Sequence, residues 1–516
     1  MLAGLDARQQ YECRNSARGG QHDGRACAKC SADSAAIAST IATATQRTPG
    51  SSANEAAARG VLPPGAGVLG VRRRSRGLPW VAPAMLFAAL AACAGSRSPV
   101  PLQVPRGTRA AQGVRTEMPV QADAFVDSIG ANTHLLDDLT GDKEAAVITQ
   151  RMRELGIRHI RDGIFPGQTP RQYADERRFL TATGARMEAI TDCPKPLGYF
   201  PKAQTPPSLI RSFDAALAGR VELLEGPNEP DLRKVRGWAH LLIDCMKHLR
   251  FEHALPVPFV APAMGDAFHT STLGNISQLV NIGAIHRYFS GYNPETKGFW
   301  KSNRCGTWGA MSFYVCEARI NAGPNAPLYI TETGYTTFGE VDETTAGKYI
   351  SRVLLADSLA GIERTYLYEL HDDGTDSTNS EDGYGLVRYD GTPKPAFRAV
   401  RQEIALLSDP GPAFSPAPLA YSVTGAANLR HELFQKRDGT YVLALWKEAL
   451  SWNPRTAREI VVPKSVATLA FATHPQDVRF GALDDAGRFV KQVPTVRGDV
   501  ITANVDDHVA FVRFRF

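Results

Sequence analysis

Two carboxylates in this chain stand where chemistry could be done. Glu229 lies in Glu225-Gly226-Pro227-Asn228-Glu229-Pro230-Asp231, and Glu332 in Tyr329-Ile330-Thr331-Glu332-Thr333-Gly334-Tyr335. Each follows a short β-type run, so each falls at the end of an expected strand. Such a pair suits cleavage of a glycosidic bond. One carboxyl donates a proton to the leaving oxygen; the other attacks the anomeric carbon or activates water. Two carboxyls in one pocket push each other's pKa apart, so one can be protonated while the other is charged.

The elements that must position them are legible from residue 121 onward. Short apolar runs alternate with amphipathic helical stretches, the signature of parallel strand–helix–strand units. The eight runs are 124–132, 157–162, 185–191, 221–225, 257–261, 284–289, 328–332 and 364–369. Between them, Ile148, Met152 and Leu155 share one helical face, with Gly156 as a stop. Trp238, Leu241, Leu242, Cys245 and Leu249 make a second stripe, and Ile350, Val353 and Leu354 a third that Gly361 ends. Eight units over 121–410 predict an α/β fold, a (β/α)8 TIM barrel, for which ~250 residues is typical. A doubly wound open sheet is the alternative, but no glycine-rich phosphate turn follows the first run. In a barrel the site lies at the C-terminal ends of the strands. Runs four and seven then sit across the mouth from each other. Beyond residue 410 the helical patterns stop. Runs at 431–436, 441–446, 459–462, 467–473, 478–481 and 509–514 read as strands of a C-terminal β-sandwich over 411–516, with a hairpin turn at Asp438-Gly439.

The two carboxylate segments resemble the retaining barrel glycosidases of glycoside hydrolase clan A, with cellulase-like family 5 and xylosidase-like family 39 nearest. In that clan an Asn-Glu pair ending strand four supplies the acid/base, and a glutamate ending strand seven is the nucleophile. Asn228-Glu229 and Glu332 match those positions, and the interval between them accommodates three strand–helix units. The resemblance implies further roles. Arg161, ending strand two, would support the nucleophile. His286-Arg287-Tyr288 resembles a His-x-Tyr whose tyrosine bonds the nucleophile, although His286 also fits a satisfied core histidine. Asn228 would hold the sugar 2-hydroxyl and His134 another hydroxyl. The clan's tryptophan platform at the end of strand eight is replaced here by Tyr366-Leu367-Tyr368-Glu369-Leu370-His371-Asp372. Trp308 is a candidate substitute. Glu369 either binds sugar or pairs with Arg364 or another base. The resemblance implies a carbohydrate substrate and neither a metal nor an organic cofactor. Two rival readings stand beside hydrolysis: a catalytically silent polysaccharide-binding barrel of the cell envelope, and a transglycosylase.

The rest of the chain bounds the setting. It has 516 residues, 43% hydrophobic and 22% charged, with a net charge of +5. This length and composition suit a large barrel plus a smaller partner, and a working monomer is expected. Much of the positive excess is Arg72, Arg73, Arg74 and Arg76; no basic–aromatic pattern argues for nucleic acid. Residues 1–70, rich in Ala, Ser, Gly and Arg, read as a disordered extension. Residues 71–92, a basic flank and a short apolar run, read as a secretory signal. Its end, Leu90-Ala91-Ala92-Cys93, resembles a bacterial lipobox, which would lipidate Cys93; an ordinary signal is the alternative. Translation is then expected to begin near Val68 or Val71. Residues 93–120 read as a tether, and an exported protein anchored in the envelope membrane through lipid is expected. Cys27-Ala-Lys-Cys30 has no second ligand pair nearby and reads as chance. Cys305 and Cys316 are either a disulfide or a pair of free thiols. Asp372, Asp373, Asp376, Glu381 and Asp382 form an acidic loop, either solvated or calcium-binding.

Overall fold

A computed structural model describes residues 114–198, 206–252 and 255–516. The signal, the lipobox at Cys93, the Cys27/Cys30 pair and most of the tether lie outside the described residues. No helix among the described residues is long and apolar enough to cross a membrane.

Eight parallel strands form the barrel: Ile129–Asn132, His159–Gly163, Arg186–Ile190, Val221–Glu225, Phe259–Val260, Gly283–Tyr288, Leu328–Gly334 and Arg364–Leu367. Around the sheet they run five, four, three, two, one, eight, seven, six. A parallel bridge between Val260 and Ile282 closes the ring between strands five and six. Two of the three helical stripes behave as their spacing predicts; in helix Trp238–Glu252 Leu242, Cys245 and Leu249 are buried, but Leu241 is exposed and Met246 takes a buried place instead. Ile148, Met152 and Leu155 are the buried residues of helix Asp142–Leu155, and Gly156 ends it with φ 83°, a left-handed conformation in which glycine has no Cβ penalty.

The first run departs from expectation. Ala122–Asp127 is a helix, and the strand begins only at Ile129. Phe125 and Val126 are buried, with the Phe125 ring 5.0 Å from that of Phe434 in the sandwich. Tertiary packing therefore sets the conformation of an apolar stretch whose period alone suits either element.

The sandwich pairs a five-stranded with a six-stranded, mainly antiparallel sheet, and one edge strand of each comes from the N-terminal side of the barrel. Arg115–Glu117 pairs with Leu419–Thr424, and Val120–Gln121 lies parallel to Leu429–Gln435. The tether reading of 93–120 therefore gives way at residue 115, where the chain is already sandwich. Leu419–Thr424 and Val500–Val505 are strands that the sequence reading omitted. Only Glu459 of the run 459–462 is strand; it belongs to Arg458–Glu459, paired with Trp452–Asn453. Tyr441–Lys447 is buried along its whole length. One face packs in the sandwich core with Leu433, Leu469 and Val512. Its other face places Val442, Ala444 and Trp446 in the barrel's outer core. Glu295 ties the two parts, accepting from Arg352 Nε (2.9 Å) and from Trp446 Nε1 (2.8 Å).

The barrel interior is polar. Barrels of this kind are usually filled by layers of branched aliphatic side chains. Here the inner apolar cluster is small: Leu223, Val260 and Ile282, with Ala284 and Tyr329 against it. Below it, Arg364 donates to Glu222 (2.9 Å), which also pairs with His159. The Tyr366 ring fills the space beside Gly130, where an added Cβ would come within 2.3 Å of it. Glu188 sits beside Tyr366 and Glu225, fully buried. Burial, then the charge of Glu225, pushes its carboxyl up to about 8.

This has a consequence for stability. An unfolded glutamate ionises near 4.3, so Glu188 takes up a proton on folding between that pH and about 8. Its contribution to stability falls as pH rises through this window and levels off above it. Glu188→Gln is expected to lose less melting temperature than wild type between pH 5 and pH 9. Equal losses in the two proteins would remove the charge on Glu188 as the cause.

Candidate active site

Arg161, at the end of strand two and 2% exposed, organises the barrel mouth. Its guanidinium grips Glu225 with two bonds, from Nε (2.5 Å) and Nη2 (3.1 Å). Nη1 donates to Asn132 Oδ1 (2.8 Å) and Glu332 Oε1 (2.7 Å), and Nη2 to Asn228 Oδ1 (2.9 Å). A planar fork with five donors suits such a task; lysine could not reach four partners in these directions. The Asn228 side-chain carbonyl is thereby engaged.

Glu332 is held by three groups. Arg161 takes Oε1, and the Tyr288 hydroxyl donates to Oε2 at 3.0 Å. His286 Nδ1 lies 3.3 Å from Oε2. Burial would raise the carboxyl's pKa, but the charges of His286 and Arg161 and the bonds from Arg161 and Tyr288 outweigh it. The result is a carboxylate kept ionised below the usual range. The Tyr288 hydroxyl is pushed well above its usual pKa by burial and by Glu332, so it stays a donor.

Glu229 stands opposite. It ends strand four's turn in a left-handed conformation, φ 43°, which a glutamate rarely adopts and which marks a functional position when the surroundings enforce it. Its backbone N–H donates to Ala263 O (3.2 Å), and the carboxyl of Asp231 pins the same turn to the next loop through Gly265 and Asp266 N–H. His286 Nδ1 lies 2.9 Å from Glu229 Oε1, so one ring nitrogen faces both glutamates. Burial lowers the His286 pKa, but Glu332 and Glu229 more than restore it, and the net direction is up. The facing atoms of Glu229, His286 and Glu332 all lie within 4.8 Å of one another.

Strands one and eight build the next wall. His134 Nδ1 lies 3.1 Å from Glu369 Oε2 and 3.0 Å from Asp373 Oδ1. Glu369 thus pairs with His134 and not with Arg364, which sits at the other end of its strand with Glu222. Burial, then the charge of Asp373, pushes the Glu369 carboxyl well above its usual range. Desolvation opposes the charge of half-buried His134, but Glu369 and Asp373 raise its pKa well above the usual value. Tyr368 directly follows strand eight. Its ring meets those of His134, Tyr288 and Tyr384 at 5.9, 6.4 and 5.5 Å, all edge-on. The acidic loop does not converge on one point. Asp372 binds Lys394 (2.7 Å), Asp373 binds His134, and Asp382 accepts from the backbone of Asp376 (3.1 Å). Among the described residues three groups could by geometry hold a cation: Asp506–Asp507–His508 in the sandwich, and at the barrel mouth Glu229–His286–Glu332 and His134–Glu369–Asp373. In the two at the mouth, a histidine already bridges the carboxylates.

Of the residues expected from the sequence, Glu229, Glu332, Asn228, Arg161, His286 and Tyr288 converge in one network. His134 and Glu369 form the adjoining pair. Trp308 stands apart from both, packed with Phe299 and Trp300 in the loop after strand six. Three residues were missed. Glu225 and Asn132 are polar residues at strand ends, a position shared with Arg161. Tyr384 lies in a loop with no periodicity to point at it. Both Cys305–Cys316 and Cys193–Cys245 are bonded, the second tying the end of strand three to helix Trp238–Glu252.

The fold has the form of the barrel glycoside hydrolases. Neither a protein-family profile nor a curated protein matches the sequence. Solved structures do. A family 39 glycoside hydrolase from the gut symbiont Bacteroides cellulosilyticus superposes with TM-score 0.55 at 13% identity, over 77% of this chain and 82% of that one. A monomeric β-xylosidase from Caulobacter crescentus gives 0.53 at 13%, over 78% and 99%. A family 39 enzyme from Xanthomonas axonopodis pv. citri gives 0.52 at 16%, over 80% and 99%. At such identities the likeness is one of fold.

Proposed function

We propose that this protein is a retaining glycoside hydrolase acting on β-linked oligo- or polysaccharide. The observation that carries the reading is the facing of Glu229 and Glu332 across His286, with atoms of all three within 4.8 Å. Carboxyls of retaining enzymes stand ~5–5.5 Å apart, whereas inverting enzymes leave ~6.5–9.5 Å for a water. In the first step Glu332 attacks the anomeric carbon, and Glu229 gives its proton to the leaving oxygen. In the second, Glu229 takes a proton from water, which displaces Glu332 from the sugar. Asn228 binds the sugar 2-hydroxyl, a bond that strengthens as positive charge grows at the anomeric carbon. The solved neighbours, one of them a β-xylosidase, favour this chemistry without naming the sugar. A lipid anchor at Cys93 belongs to the same proposal and would place the enzyme on envelope or exported polysaccharide.

The test is a panel of β-linked polysaccharides and aryl β-glycosides, with the first-formed product followed by proton NMR. Initial release of the β-anomer is expected. Initial release of the α-anomer would overturn retention, and inactivity on every member would favour the silent binding barrel. Oligosaccharide products in excess acceptor, without free sugar, would mark a transglycosylase. Glu229→Ala is expected to lower kcat/KM, which reports the first step, by ~10²–10⁴-fold on substrates with poor leaving groups and far less on dinitrophenyl glycosides, whose departure needs no proton. Equal losses on both would remove Glu229 as the acid.

A further inference from the structure

The loop after strand six carries an aromatic surface that the two-glutamate chemistry does not use. Trp300 is 72% exposed, the most exposed tryptophan among the described residues. An indole left in water forfeits a large apolar burial. Trp308 lies beside it, ring centroids 5.2 Å apart and planes 32° apart. Phe299 stands edge-on behind both, at 5.2 and 5.0 Å, and stacks on Tyr292 at 5.0 Å. The loop backbone fixes the pair: Phe299 N–H donates to Trp308 O (2.7 Å) and Trp308 N–H to Lys301 O (2.9 Å). Trp300 itself has φ 65°, a left-handed conformation that a tryptophan seldom takes. The ring is therefore presented by a constrained backbone and not merely left over at the surface.

Its place at the mouth follows from a chain of contacts. Asp231, two residues after Glu229, accepts from Gly265 N–H (2.9 Å) and Asp266 N–H (3.0 Å) and faces His269 Nδ1 (2.9 Å). Phe268, adjacent to His269, carries Lys301 Nζ over its ring at 5.9 Å. Lys301 follows Trp300. The pair thus belongs to the side of the mouth built by the loops after strands four, five and six, where Glu229 stands. The aromatic and acidic wall of His134, Tyr368 and Glu369 belongs to strands one and eight. Glu229 protonates the leaving oxygen, so the leaving part of the substrate passes along its side.

We propose that Trp300, backed by Trp308, is a stacking platform for sugar units on the leaving-group side of the cleaved bond. The enzyme then acts on a chain that continues past that bond, and not chiefly on small glycosides. This rests on the glycosidase reading. Pyranose rings suit the role because their axial C–H faces are apolar while their hydroxyls point outward to water.

The experiment compares wild type, Trp300→Ala and Trp300→Phe on the polysaccharide cleaved in the panel, on its hexasaccharide, and on the aryl glycoside of the same sugar. Trp300 is exposed, so folding of the variants is not at issue. For Trp300→Ala, KM on the two long substrates is expected to rise on the order of tenfold, about 1.4 kcal/mol. Its kcat is expected to hold, its aryl glycoside kinetics to stay within about twofold, and Trp300→Phe to recover part of the loss. Unchanged kinetics on the long substrates overturn the platform. So does an equal loss on the aryl glycoside, which does not extend to it. Wild-type inactivity on the whole panel is instead a failure of the glycosidase reading, and the platform falls with it.

Discussion

Glu332→Gln is expected to lower kcat/KM by ~10⁴-fold or more while the fold stays intact. The amide has nearly the carboxylate's shape and keeps an acceptor oxygen for Arg161 or Tyr288, but it cannot form the glycosyl-enzyme. The structural cost is small because Arg161 remains neutralised by Glu225, which accepts two of its bonds. The same surroundings make a statement about pH. His286 and Arg161 hold the wild-type carboxyl below its usual range despite burial. The nucleophile must be ionised to attack. The acid limb of kcat/KM should therefore fall below the ordinary glutamate value of about 4.3. Chemical rescue tests the role directly. Azide added to Glu332→Gly is expected to give a glycosyl azide of inverted configuration, since the anion enters from the vacated face. Melting temperature within a few degrees of wild type and activity below a ten-thousandth are the supporting pair. Substantial turnover by Glu332→Gln, in material free of wild-type enzyme, sinks the assignment.

The barrel was legible because its eight strand ends are marked by short β-type runs, and because helical stripes such as Ile148, Met152 and Leu155 end at glycines that the chain needs there. What remained illegible has physical causes. Residues 122–127 carry an apolar pattern too short to separate helix from strand, and contact with Phe434 decides it. The short strands Arg115–Glu117 and Val120–Gln121 take their place from partners about 300 residues later, which no local pattern reports. In the site, Arg161, His286 and Tyr288 were recognisable from their resemblance to a family pattern. Glu225 was passed over because a buried carboxylate reads in sequence like any strand residue. It becomes meaningful only once Arg161 is seen to lie against it. Trp308 is a candidate platform from sequence alone, whereas Trp300 stands out only by its exposure, which no sequence pattern supplies.

Arg161→Met is expected to produce the other large effect, and its pH dependence identifies the cause. Removing one partner of a buried ion pair costs ~3–5 kcal/mol because the remaining charge loses its counter-ion. Here two are left, Glu225 and Glu332, both buried and both Arg161 ligands. Wild-type Glu332 has a folded pKa below its unfolded one. Its contribution to stability is therefore present above the unfolded value and is lost as pH falls through the folded one. In the variant that relation reverses: without the guanidinium the buried Glu332 carboxyl should resist ionisation, and its burial should cost most at alkaline pH and least when protonated. The drop in melting temperature relative to wild type should therefore be larger at pH 8 than at pH 4. An equal drop at the two pH values would mean that lost packing, not lost charge, is responsible. In activity, the acid limb of kcat/KM should move to higher pH, because the nucleophile has lost its cation. Glu225→Gln should move it the opposite way, since Arg161 then answers to Glu332 alone. The double variant, Arg161→Met with Glu225→Gln, removes one of the stranded charges and should recover part of the stability that Arg161→Met loses. Opposite shifts from two neighbouring substitutions cannot come from a general loosening of the mouth. They would establish that Arg161 acts on Glu332 as a charge, in an amount that Glu225 tunes.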